Sequence, residues 1–190
     1  MNILVLLGSP NPAGNTAALC GPFCEELRAQ GCAVRYVVLG ELTILPCQGC
    51  YACQDVEGEY GCVLEDDMQE IAEAILWADC IVLACPIYSW YCPAQMKAVL
   101  DRHYGFNKFY GTASGSLWAG KAVALLLTHG YERAYATEPF VMGIERLAEH
   151  SGLRYLGMHS VQHTEGPEVF RTTEAVAGTK AFAREIVEKI

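Results

Sequence analysis

The chain has 190 residues, 52% hydrophobic and 18% charged, enough apolar material for one sizeable core and too much for disorder. Thirteen Lys and Arg against twenty-two Asp and Glu leave a net charge of −9, which disfavours nucleic-acid and anionic-membrane partners, since both need clustered bases. No apolar run reaches the roughly 18 residues of a membrane span.

The elements follow in chain order. Asn2–Leu7 is a continuous apolar run of strand length. It has no basic start and no small-x-small cleavage site, which predicts a cytoplasmic protein and reads the ten cysteines as thiols or metal ligands rather than disulfides. Leu19, Phe23 and Leu27 recur every four residues and mark a helix over 15–30. Residues 33–39 are a second strand. A helix over 66–77 starts at Asp66 as N-cap and turns Met68, Ile71, Ile75 and Leu76 inward. Residues 80–85 form a third strand closed by Pro86, and 94–104 a helix with Met96, Val99 and Leu100 buried. A fourth strand covers 122–128, a helix 139–151 ends at Gly152, a fifth strand covers 154–161, and a last helix runs over 174–189. Strands alternating with helices predict one α/β domain over 1–190, doubly wound, with a five-stranded parallel sheet and helices on both faces.

In the order 2-1-3-4-5, known from flavodoxin, a ligand binds where the order reverses, between strands 1 and 3. The turn after strand 1 carries Ser9, Asn11, Asn15 and Thr16 around small residues and leads into a helix. A helix N-terminus with hydroxyl and amide donors is a phosphate site, although an ordinary strand–helix turn looks the same. Neither a P-loop nor a dinucleotide fingerprint is present. After strand 3, Pro86, Ile87, Tyr88, Ser89 and Trp90 form a Pro-bounded aromatic loop suited to a flat ring, or equally to packing within the domain or against a second copy. Thr128, His129 and Gly130 end strand 4, where glycine lets backbone approach a ring; His129 reads as structural rather than as a proton carrier. Together the loops predict a mononucleotide.

Gly8-Ser9-Pro10…Gly14-Asn15-Thr16, Cys47-x-x-Cys50-x-x-Cys53…Cys62, Asp66-Asp67-Met68 and Ala78-Asp79…Pro86-Ile87-Tyr88 occur in that order. In this combination the chain resembles the NADPH-dependent FMN reductase and iron–sulfur flavoprotein group of flavodoxin-like proteins. The resemblance implies that Ser9, Asn11, Asn15 and Thr16 hold the FMN phosphate. It also implies that Pro86, Ile87, Tyr88, Ser89 and Trp90 line the isoalloxazine, with Thr128, His129 and Gly130 on a further side. It implies an NAD(P)H-dependent oxidoreductase with flavin-borne chemistry and no catalytic side chain, passing electrons to a flavin, quinone-like or other small-molecule or protein acceptor. Main-chain N–H groups of Ile87, Tyr88, Ser89 and Trp90 would tune the ring, and a homodimer or homotetramer would close it. The rival readings are an iron–sulfur flavoprotein carrying electrons between redox proteins and a flavin-free thiol or binding module.

Two C-x-x-C steps put Cys47, Cys50 and Cys53 in one compact loop, with Cys62 after a gap of eight residues, wider than in cluster-binding relatives. Such spacing suits a [4Fe–4S] cluster with these four as ligands. Zinc and a metal-free thiol loop remain the alternatives.

Overall fold

A computed structural model describes residues 1–164 and 166–190. Its main sheet has β1 (Asn2–Leu7), β2 (Ala33–Val38), β3 (Cys80–Pro86), β6 (Ala122–His129) and β7 (Arg154–Gln162). The strands run parallel in the order β2-β1-β3-β6-β7. Counting only sheet strands, this is the expected order 2-1-3-4-5. A two-stranded antiparallel ribbon, β4 (Asn107–Lys108) with β5 (Gly115–Ser116), lies between β3 and β6 in the chain and was not foreseen. Two-residue strands are too short for periodicity to reveal.

Alternation along the central strands feeds two cores. Leu4, Leu6, Ile81, Leu83, Val123 and Leu125 pack with α2 (Met68–Trp77), α3 (Ala94–Asp101) and α4 (Arg133–Ser151). Ile3, Val5, Leu7, Val82, Ala84 and Ala124 pack with α1 (Asn15–Ala29) and α5 (Thr173–Lys189). Burial on both faces is why these strands read as unbroken apolar runs. Cys80 and Cys24 fill this second core, where burial pushes their thiol pKa values up to about 12 and about 11. They remain protonated, small and unreactive.

The start of α4 differs from expectation by six residues. Pro139 suits a first helical turn, yet α4 begins at Arg133, with the Glu132 carboxylate accepting from the N–H groups of Ala134 (3.1 Å) and Tyr135 (3.2 Å). The helix over 94–104 stops at Asp101 and continues as a 3₁₀ turn, Arg102–Gly105. Asp66 lies one residue outside the N-cap position of α2, although its carboxylate still accepts from Met68 N at 3.1 Å. No helix among the described residues is long and apolar enough to cross a membrane.

Burial holds the His103 and His159 imidazoles below their ordinary pKa of 6.5. The unfolded chain therefore takes up these protons first. Their contribution to stability is complete above pH 6.5 and declines as the pH falls through it. Thermal unfolding is expected at a lower temperature near about pH 5.5 than near about pH 7.5, with His159→Leu reducing the difference. A midpoint independent of pH across this range would contradict the assignment.

Candidate functional site

The carboxyl ends of β1, β3 and β6 are laced together by backbone bonds. Gly8 N donates to Ala84 O at 2.8 Å and Ile87 N to Thr128 O at 2.8 Å. The three following loops therefore meet at one place. Ser9, Asn11, Asn15, Thr16, Pro86, Ile87, Tyr88, Thr128, His129 and Gly130 line one cavity of about 260 Å³. Ser89 and Trp90 line an adjoining cavity of about 440 Å³ that shares Ile87, His129 and Gly130.

The first loop delivers α1 with Gly14 at its N-cap, without a capping side chain and without an acidic residue in the first turn. The N–H groups of a helix start are left without intrahelical partners and carry the positive end of its dipole. Here they open on a cavity lined by neither Lys nor Arg. The Ser9 hydroxyl donates to Asn11 O (3.1 Å) and accepts from Asn11 N (3.2 Å), and Asn11 Oδ1 accepts from Ala13 N (3.0 Å). These two side chains shape the turn. Buried Thr16 and Thr128 share one hydrogen bond, Oγ1 to Oγ1 at 2.8 Å. Only one hydroxyl proton is consumed there, and the other hydroxyl keeps its own for a ligand.

The second loop is a tight reversal, with Tyr88 N donating to Tyr91 O (2.8 Å) and Tyr91 N to Tyr88 O (2.9 Å). Its two central residues, Ser89 (φ 49°) and Trp90 (φ 62°), are left-handed, as a type I′ turn demands. Neither is glycine, so each carries roughly 1–3 kcal/mol of strain of the kind found at functional sites. The expectation of four main-chain donors is corrected: Ile87 N and Tyr88 N are spent, leaving Ser89 and Trp90. Tyr91 turns inward onto Phe140 at 5.1 Å. Trp90 instead stacks on Tyr131 (6.2 Å, 6°) and meets Tyr135 edge-on (5.7 Å), all three exposed.

His129 holds both ring nitrogens in contacts, Nδ1 with Tyr131 O (2.8 Å) and Nε2 with Ser160 Oγ (3.2 Å). His163 and Phe170, which sequence reasoning did not assign, also line the cavity, their rings stacked at 5.8 Å. His163 arrives because its N–H pairs with His129 O at 2.8 Å across an edge strand, a contact without sequence signal.

A separate cavity, about 110 Å³, is lined by Cys47, Cys50, Cys53 and Cys62 together. Among the described residues, no group of three or more His, Cys, Asp or Glu is spaced to hold a metal ion. Tyr51, between Cys50 and Ala52, is the other non-glycine residue with positive φ (60°). All three such residues among those described lie in these two loops. Burial pushes the Cys53 thiol up.

Beneath this cavity lie buried groups the sequence did not announce. Arg102, 2% exposed, pairs with Asp66, donates to Cys62 Sγ at 3.2 Å, and keeps its buried Nε without a partner. Lys108, 1% exposed, has no carboxylate partner among the described residues and donates to Cys53 O (2.6 Å) and Tyr60 O (3.1 Å). Two buried cations beside four thiols fit an anionic occupant such as a thiolate-bound cluster. Gln54 ties the Ala52–Asp55 turn to the β4–β5 ribbon, accepting from Phe109 N (3.0 Å) and Tyr110 N (3.1 Å) and donating to Asn107 O (2.9 Å).

The family model described as NADPH-dependent FMN reductase matches residues 1–138. A protein named iron-sulfur flavoprotein from Methanosarcina thermophila is 36% identical over 102 residues, 54% of this chain and 52% of that one. Another of that name from Archaeoglobus fulgidus is 35% identical over 102 residues, 54% of this chain and 45% of that one. The matched region thus spans about half the length of these relatives. An NAD(P)H:quinone oxidoreductase structure from Methanothermobacter marburgensis superposes with a TM-score of 0.74 at 20% identity, covering 98% of this chain and 97% of that one. A flavodoxin from the domain Archaea does so with a TM-score of 0.60 at 12% identity, covering 100% and 98%. These two likenesses show the flavodoxin-like fold.

Proposed function

The chain belongs to the NADPH-dependent FMN reductase family, and from that premise we propose that it holds FMN at the β1/β3/β6 cavity and takes hydride from NAD(P)H. The electrons leave to a flavin, quinone-like or other small-molecule or protein acceptor. The observation that carries this reading is the uncapped start of α1 opening into the cavity bordered by the strained turn at Tyr88–Tyr91. When bound, FMN supplies hydride and single-electron transfer, while the protein binds, orients and excludes water.

In this reading the α1 N–H groups and the Thr16–Thr128 hydroxyl pair hold the phosphate, with Ser9 and Asn11 fixing the turn that presents them. Pro86, Ile87 and Tyr88 border the ring on one side and Thr128, His129 and Gly130 on another. Ser89 and Trp90 present their unspent N–H groups. The Trp90–Tyr131 stack beside the 440 Å³ cavity suits a planar nicotinamide or acceptor. Exposed Tyr88 and Trp90 also suit closure by a second copy in a homodimer or homotetramer.

The cysteine cavity favours an added centre. Cys47, Cys50, Cys53 and Cys62 would bind a [4Fe–4S] cluster over the Arg102 and Lys108 cations, as the names of the relatives suggest. That makes the protein an iron–sulfur flavoprotein that converts paired electrons into single ones for a redox partner. All ten cysteines are free, in keeping with a reducing compartment such as the cytoplasm.

The test is an anaerobic titration of the FMN-loaded chain with NADPH and NADH, run beside Thr16→Val. Bleaching of the flavin absorbance by one nicotinamide is expected. Thr16→Val keeps the side-chain shape but removes a hydroxyl beside a charged group, worth about 1.5–3 kcal/mol, so FMN affinity should fall roughly 10- to 150-fold. Unchanged affinity refutes the phosphate assignment, and a flavin indifferent to both nicotinamides refutes the reductant.

A further inference from the structure

We propose that Arg102 is a positioning residue that sets the redox potential of a cluster in the cysteine cavity, donating a hydrogen bond to Cys62 Sγ while Asp66 holds its guanidinium still. The proposal rests on the cluster reading above.

Among the described residues, three donors reach the sulfurs of the four cysteines. Gly49 N lies 3.5 Å from Cys47 Sγ and Gln54 Nε2 lies 3.7 Å from Cys53 Sγ. Both are neutral and long. Arg102 Nη2 lies 3.2 Å from Cys62 Sγ, the shortest of the three and the one that carries charge. A guanidinium in a protein does not lose its proton, so this donor is permanent.

Its direction is fixed from behind. Nη1 donates to Asp66 Oδ2, and both side chains are 1% exposed. Asp66 is itself anchored at both oxygens. Oδ2 accepts from Leu45 N (2.7 Å), in the segment leading to Cys47, and Oδ1 from Met68 N (3.1 Å), at the start of α2. The pair therefore spans the two flanks of the cysteine segment. An ion pair serving stability alone needs neither the sulfur contact nor a place in the cavity wall, yet Arg102 has both. Cys62 is also the ligand separated by the widest gap, the one whose sulfur most needs an external guide.

Hydrogen bonds to sulfur and exclusion of solvent are among the factors that set cluster potentials. Reduction adds one electron, and hence negative charge, to the cluster and its thiolates. A buried cationic donor favours the reduced form over the oxidised one, and removing it lowers the potential.

The experiment compares wild type, Arg102→Gln and the neutral pair Arg102→Gln/Asp66→Asn, all reconstituted anaerobically with iron and sulfide. The double variant avoids leaving a buried carboxylate unpaired and so preserves folding. Iron and sulfide are counted, and the cluster is followed by electron paramagnetic resonance during potentiometric titration. We expect full iron in all three and, in both variants, a shift of the redox equilibrium toward the oxidised form of about tenfold, equivalent to 59 mV for one electron. A double variant with full iron and an unchanged potential overturns the role of Arg102 and leaves the cluster standing. A folded double variant without iron overturns it too, by making Arg102 a requirement for assembly. Wild type that takes up neither iron nor sulfide overturns the underlying cluster reading instead.

Discussion

Gln54→Leu is expected to lower the unfolding free energy by about 4 kcal/mol, a loss outside the ordinary range for one substitution. Gln54 is 1% exposed, and its amide bonds to four backbone groups, those of Tyr104, Asn107, Phe109 and Tyr110. Leucine keeps the volume but leaves two N–H and two C=O groups without partners, at about 1–3 kcal/mol for each that water cannot reach. The loss falls short of the full sum because the ribbon lies near the surface and part of it will rehydrate. Packing adds to the effect, since the backbone at Gly111 passes so close that a Cβ there would lie 2.6 Å from Gln54 Cβ. With a urea slope of about 1–3 kcal/mol/M, the denaturation midpoint should fall by about 2 M. An unchanged midpoint would show that the ribbon and the cysteine loop are held by something other than this amide. Cys53 adjoins Gln54 in the chain, so the variant should also lose order in the thiol loop.

Cys50→Ser is expected to abolish cluster binding, taking the anaerobically reconstituted chain from full iron and sulfide to none of the [4Fe–4S] form. Oxygen is a poorer ligand than thiolate for soft iron–sulfur chemistry. Cys50 is the most informative of the four to replace because it alone is exposed, whereas the other three are partly buried. Its substitution removes no core packing, so loss of iron reports ligation rather than unfolding. Circular dichroism and thermal midpoint should match those of wild type. FMN affinity should be retained as well, because the cavity of Ser9, Thr16 and Thr128 shares no lining residue with that of the cysteines. A Cys50→Ser protein with a complete cluster would remove Cys50 from the ligand set.

The sheet was legible from the amino-acid sequence because each central strand is buried on both faces and reads as an apolar run bounded by turn residues. The β1 boundaries needed no adjustment for the same reason. The convergence of the three loops on one cavity followed from strand order, since loops leaving adjacent parallel strands at their carboxyl ends must meet. The cysteines were legible as a group through local spacing alone.

Contacts made across long stretches of chain were decided by the tertiary structure. Arg102 looked like the end of an amphipathic helix, and only the folded chain brings it to Asp66, 36 residues away, and to Cys62, 40 residues away. Lys108 and Gln54 carry no local signal, because nothing in the neighbouring sequence separates a surface lysine from one buried under a cysteine loop. The early start of α4 at Arg133, capped by Glu132, and the left-handed pair Ser89–Trp90 likewise escaped, since a Glu cap and non-glycine residues at positive φ contradict local preference. Periodicity and turn chemistry act between neighbours and specify elements and their order. Burial of charge, sharing of a hydrogen bond and tolerance of strain depend on what the rest of the chain supplies from a distance, and they exist only once it has folded.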